Sequence, residues 1–361
     1  MSIVKFKQNR VRRNYSGGKE LDELQNFSPA TDSDRPEEWV ASLVEATNEG
    51  LTQIDNEGIS TTIDGQKFTD LIQKNPVEML GEMHYKQYGV SLAFLMKLLD
   101  SSMRLHTQVH PTRAFAKEKL NSDWGKFETY YVLKIRENAE GYIRLGFQKA
   151  PTKEEWKTII EEQDIEKMNQ CFEKIPIRQG DVVYIPGGIP HAIGEGVLLV
   201  EIMEPSDLVV RCEFEREGIV LPEESRFMGK GLDFCLDVFD YTECSVEEIQ
   251  NNYFLEKELV QKMDDSAVYK LIPASISRTF EVYSYIIMSE SYFDLDERFM
   301  VGLNLEGAVK LSSGDDSVIV QKGESFFIPA HLDSMTIEPI NQQPAELCIV
   351  TNVLSDSNIE R

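Results

Sequence analysis

At 361 residues the chain is long enough to bury a large core and to hold two or three domains. Its 37 basic and 62 acidic residues leave a net charge of −25, which argues against non-specific binding to nucleic acid or an anionic membrane. An anionic ligand would need a local cluster of Lys, Arg or backbone N–H groups.

The first 40 residues are basic, then polar and rich in turn formers, and "YSGGKEL" marks a tight turn. Residues 41–89 mix apolar and acidic positions and predict one or two helices with loops. "VSLAFLMKLLD" (90–100) is almost wholly apolar, so its period cannot separate a buried strand from a buried helix. In "MRLHTQVHP" (103–111) the side chains of His106, Gln108 and His110 alternate, which in a strand points all three to one face. "FETYYVLKI" is rich in aromatic and β-branched residues and predicts a strand. A helix is expected over 152–175, with Thr152 as N-cap and Glu155 completing a capping box.

Next comes "IRQGDVVYIPGGIPHAIGEGVLLVEIMEPSD": a Gly-Asp turn, an apolar strand, a Pro-Gly-Gly turn, a His and another strand. The pattern returns as "VQKGESFFIPAHLDSMTIE" (320–338), which two copies of one β-barrel domain would explain. Between them, residues 227–254 read as a helical connector with Ser245 capping a helix. The five cysteines (Cys171, Cys212, Cys235, Cys244, Cys348) are odd in number and show no CxxC spacing. With no signal-peptide pattern and no long apolar run, a reduced cytoplasmic protein is expected.

The turn–strand–"IP"–turn–His run resembles the cupin fold. "FLMKLLD", "QVHP", "GKFETYYVL", "GDVVYIPGGIPHAIGEG" and "VEIMEPSDLVVR" occur in order, at spacings that resemble the type I mannose-6-phosphate isomerase family. "PEEWVAS" and "SGGKEL" resemble its early motifs more loosely. The resemblance implies a mainly β chain with two cupin (jelly-roll β-barrel) domains, helical insertions and a helical connector. The expected division is a catalytic cupin at 1–217 (insertions at about 41–89 and 152–175), a connector at 218–262 and a metal-free cupin at 263–361. His331, beside the second "IP" turn, is expected to be a surface turn residue.

The same resemblance implies one Zn²⁺ per chain, held by Gln108, His110, Glu128 and His191. Two imidazoles and a carboxylate suit zinc, and a weak amide ligand keeps the ion Lewis acidic. The implied reaction interconverts mannose 6-phosphate and fructose 6-phosphate through an enediol(ate), with Arg211, Lys126 and Glu201 as catalytic candidates. Between Lys126 and Glu201 as proton carrier the residues do not choose. Lys97, alone in the apolar run 92–99, is read as a phosphate contact, with a structural ion pair as the plain alternative. His106 stands where the family commonly has a phosphate-contacting Ser. Near a phosphate dianion its imidazolium would be favoured. That departure puts the exact phosphosugar in doubt. A different phosphosugar, or a non-catalytic sugar-binding regulatory cupin, are the alternatives. The expected partner is a small phosphosugar, with no nucleic acid or membrane, in a monomer or homodimer.

Overall fold

The computed structural model describes residues 2–48 and 52–353. Residues 49–51, inside the first expected insertion, and 354–361, at the end of the expected second cupin, lie outside it. The chain is mainly β, and its large sheets are antiparallel throughout. One seven-stranded sheet runs in the order Phe254–Leu255, Val182–Ile185, Glu128–Ile135, Val197–Met203, Leu95–Ser101, Glu37–Val40, Arg10–Val11. Facing it is a five-stranded sheet ordered Val210–Arg211, Gln108–Val109, His191–Ile193, Tyr142–Leu145, Ile175–Pro176. Leu99, Tyr130, Val132, Ile143, Leu145, Ile193 and Leu199 fill the space between the two.

A second pair of sheets forms from the C-terminal part. Its seven-stranded member includes Phe280–Ile287, Met300–Glu306, Ser325–Ile328 and Ala345–Asn352, and its four-stranded member includes Val309–Ser313 and Ser334–Pro339. The two seven-stranded sheets lie back to back. Met96, Leu98, Val200 and Ile202 of the first share one core with Val282, Val301, Leu303 and Val350 of the second. Two short strands join the sets: Val4–Lys5 pairs with Phe326–Phe327 of the second set, and Phe254–Leu255 pairs with Val182–Val183 of the first.

This layering resolves the ambiguous run at 90–100. Leu95–Ser101 is a strand buried at every position, because both of its faces are covered. Met96 and Leu98 enter the core between the seven-stranded sheets, while Lys97 and Leu99 face the five-stranded sheet. The same alternation turns Glu201 inward from the neighbouring strand, and Glu128 and Tyr130 from the strand beyond it.

The helical expectations need correction in two places. Residues 41–48 and 52–67 hold no helix; three short ones follow at Phe68–Lys74, Pro76–Leu80 and Glu82–Tyr88. Asn75 and Gly81, which sit at their junctions with non-helical dihedrals, break the run. The 152–175 helix has its capping box but stops at Glu162. Gln163 turns left-handed (φ 51°), and Asp164 caps a separate helix, Ile165–Gln170. Ser245 caps Val246–Tyr253 with a capping box of its own. Among the described residues no helix is long and apolar enough to cross a membrane.

The "SGG" turn is structural. Asp100 Oδ2 accepts hydrogen bonds from the N–H groups of Gly18 (2.8 Å) and Glu20 (2.9 Å), and Arg136 pairs with the same carboxylate. Any Cβ on Gly17 would lie 1.9 Å from the Asp100 carbonyl oxygen.

Candidate active site

Gln108, His110, Glu128 and His191 come from three strands and the loop after one of them. Gln108 pairs in register with His191 on one side and Arg211 on the other. Glu128 opens the long strand Glu128–Ile135 of the opposing sheet. The donor atoms of His110, Glu128 and His191 lie within 4.8 Å of one another, all three residues buried. Glu128 Oε1 is 3.1 Å from His110 Nε2, and its Oε2 is 3.4 Å from His191 Nε2. Among the described residues this is the sole such group of three His, Cys, Asp or Glu donors. Gln108 joins them through its amide, whose Nε2 lies 3.3 Å from His191 Nε2.

The outer contacts settle which ring nitrogens look inward. His110 Nδ1 sits 2.8 Å from the Leu208 carbonyl oxygen, and His191 Nδ1 3.0 Å from that of Ile189. A carbonyl only accepts, so each Nδ1 carries the proton. Both Nε2 lone pairs then point at a carboxylate that also only accepts. Lone pairs gathered this way repel unless a cation sits among them, and neutral imidazoles fixed by backbone carbonyls are the usual form of metal-binding histidine. The donor set fits Zn²⁺.

Lys126 supplies part of that positive charge. Its ammonium is 3.0 Å from Glu128 Oε1 and 3.4 Å from His110 Nε2. Burial would push Glu128 up, but the Lys126 ammonium together with His110 and His191 outweighs it and holds the carboxyl well below the usual range. Burial, and then Lys126, push His110 down to about 4. Tyr130, two residues on, donates to Glu128 Oε2 at 2.7 Å.

These groups open onto a cavity of about 360 Å³ whose lining also includes Lys97, His106, Glu201, Asp207 and Arg211. Lys97 is 2% exposed and lies 3.4 Å from Glu201 and 3.8 Å from Glu37. The distances therefore support the ion-pair reading of Lys97. Burial raises Glu201 to about 7 against the pull of Lys97. The Arg211 side chain bonds the Ser225 carbonyl while lining the cavity. His106 faces the cavity with a buried Nε2 that has no hydrogen-bond partner. Burial pushes its ring down to about 4, opposite to the raised value expected beside a phosphate. His331 lies elsewhere, exposed, its Nδ1 at the Glu78 carbonyl.

Several cavity residues were not singled out from the sequence. Glu37 takes a hydrogen bond from Arg13 (2.9 Å), Tyr15 (2.7 Å) and Trp39 (2.7 Å), and Arg13 and Lys97 hold it down to about 2 despite burial. "PEEWV" was the available signal for Glu37, and period-two alternation from Glu128 was the signal for Tyr130. Arg13 and Tyr15 lie in the segment read only as basic and turn-forming. Asp207 is in the motif "EPSDLVVR" but carried no role.

Known proteins similar to this chain are mannose-6-phosphate isomerases. The catalytic-domain model of type I phosphomannose isomerase matches residues 31–134, and the cupin-domain model of mannose-6-phosphate isomerase matches residues 273–341. The chain is 29% identical to the probable mannose-6-phosphate isomerase GmuF of Bacillus subtilis over 284 residues, 75% of this chain and 79% of that protein. The crystal structure of the mannose 6-phosphate isomerase from Bacillus subtilis superposes with a TM-score of 0.75 at 23% identity, covering 98% of this chain and all of that one. A mannose 6-phosphate isomerase bound with zinc and yttrium superposes at 0.70, with 17% identity and 98% and 100% coverage.

Proposed function

Because the chain belongs to the type I phosphomannose isomerase family, we propose that it interconverts mannose 6-phosphate and fructose 6-phosphate in the 360 Å³ cavity, with one Zn²⁺ held by Gln108, His110, Glu128 and His191. The observation that carries this reading is the convergence of two backbone-fixed imidazoles on one buried carboxylate beside the cavity. For Gln108 to bind through its oxygen, the amide must present Oε1 where Nε2 is placed, a half-turn that costs no backbone movement.

The reaction takes a proton from C2 of the open-chain aldose and returns one to C1 of the enediol(ate). When bound, the ion supplies Lewis-acid stabilisation of the oxyanion that develops as C2 loses its proton. Glu201 is the proton carrier we favour over Lys126. A carboxyl raised to about 7 is poised to accept and return a proton near neutrality, worth roughly 10²–10⁴-fold. Lys126 is tied to Glu128 and His110, where it holds charge at the metal-binding end. Lys97 tunes Glu201, and Arg211 stabilises the negative oxygens of the intermediate. His106 replaces the hydroxyl donor expected at the phosphate, and its neutral ring can still donate one hydrogen bond.

That His is the observation favouring a second reading, an isomerase of a different phosphosugar. A coupled isomerase assay on mannose 6-phosphate and other aldose phosphates separates the two, and a chain that binds sugar phosphate without turnover would be a regulatory cupin instead. The expected division into a catalytic cupin (1–217), a connector (218–262) and a supporting cupin (263–361) is retained as part of the proposal; the four described ligand candidates all fall in its first part.

A further inference from the structure

Beside His106, outside the cavity lining, Arg104 and Arg216 flank the Glu213 carboxylate, and Arg144 lies one strand away. Arg104 is 2% exposed; its guanidinium donates to Glu213 Oε1 (2.6 Å), the Leu105 carbonyl (2.8 Å) and Thr107 Oγ1 (3.4 Å). Arg216 donates from Nε to the Arg104 carbonyl (2.7 Å) and reaches Glu213 Oε2 only at 3.9 Å. Arg144 comes from the other side of the strand His191–Ile193. It pairs in register with Ala192, while the Leu105 N–H bonds the Ile193 carbonyl (2.9 Å) from the opposite edge.

Arg144 is 8% exposed, and its fixed acceptor is the Asn169 amide oxygen. Its Nε is buried with no hydrogen-bond partner, and among the described residues no carboxylate lies within salt-bridge distance of it. Burial, and then the guanidinium of Arg104, push Arg144 below the usual arginine value; Arg216 is lowered for the same reasons in the same order. Three positive charges thus face one negative charge, in a protein whose net charge is −25. A buried donor without an acceptor costs free energy, and guanidinium forks match the oxygens of phosphate or carboxylate two at a time. The Arg216 side chain is 22% exposed and gives the cluster an edge open to solvent.

We propose that Arg144, Arg216 and Arg104 form an oxyanion-binding site for a small phosphate-class anion, separate from the isomerase cavity and walled from it by His106. An anion there would accept from Arg144 Nε and from the free edge of Arg216, leaving the Arg104–Glu213 pair intact. The site does not depend on the isomerase reading.

Titration calorimetry of the zinc-loaded full chain with inorganic phosphate tests it. Saturable binding is expected, weakened about 10- to 100-fold in Arg144→Gln, the loss of one or two charge-assisted hydrogen bonds. It should survive in Arg211→Ala, which alters only the cavity. Arg144→Lys keeps the charge but not the fork and should bind with intermediate strength; it decides the matter if Arg144→Gln does not fold. No saturable binding, binding lost in Arg211→Ala but kept in Arg144→Gln, or an Arg144→Lys variant indistinguishable from the natural chain would each overturn the proposal.

Discussion

Lys97 and Glu201 face each other across paired strands, with the ammonium 3.4 Å from the nearer carboxylate oxygen and both side chains almost wholly buried in the cavity wall. Glu37 approaches the same ammonium at 3.8 Å, while Lys126 and Glu128 act on Glu201 from the metal-binding end. Burial dominates and lifts Glu201 to about 7; Lys97 is the strongest force holding it from going higher.

Replacing Lys97 by Met should therefore raise Glu201 further. If ionised Glu201 accepts the proton from C2, the acidic limb of kcat/KM moves to higher pH and activity at neutral pH falls. The full pH–rate profile checks this. A limb that stays in place while activity falls at all pH values would transfer the proton-carrying role away from Glu201.

Arg211→Ala is expected to lower kcat sharply with little change in KM, because the lost contact belongs to the transition state. Steady-state kinetics with mannose 6-phosphate distinguish this from a ground-state role, which would raise KM instead.

His106→Ser restores the residue expected at this position in the family. The variant should keep its zinc, measured by elemental analysis, and change KM. Loss of zinc would make His106 a ligand; an unchanged KM would leave it a bystander in the wall.

Gly17→Ala should destabilise the fold by about 1–3 kcal/mol, since the added methyl meets the Asp100 carbonyl at 1.9 Å and neither backbone can yield. Denaturant unfolding reads it directly, and because Gly17 does not sit at positive φ the loss reports the close contact and not backbone strain.

Much of the site was legible because ordered motifs resembling one family carried its ligand positions, Gln108, His110, Glu128 and His191, onto this chain. Period-two alternation by itself offered only a shared strand face for His106, Gln108 and His110. His191 stands at the first residue of its strand, just after the turn that the motif marks. What the sequence withheld is carried by segments without a period. Arg13, Tyr15 and Asp207 reach the cavity from loops or near-loops, and nothing local announces where a loop side chain ends. The helix over 152–175 was overextended because its apolar stripe continues past Gln163, where one left-handed residue restarts the helix at Asp164. Lys97 illustrates a different limit: both an ion pair and an anion contact satisfy a buried ammonium, and only the positions of Glu37 and Glu201 distinguish them.

The central claim is that His110, Glu128 and His191, with Gln108, hold a zinc ion on which isomerisation depends while the fold does not. Metal content and coupled mannose 6-phosphate turnover, measured on the same sample before and after chelation, test it together. The expected result is about one Zn²⁺ per chain, activity lost on chelation and regained with zinc, and circular dichroism unchanged, since two large β cores do not need a metal to form. Full turnover by the metal-free chain, or collapse of the fold when zinc is removed, would contradict it.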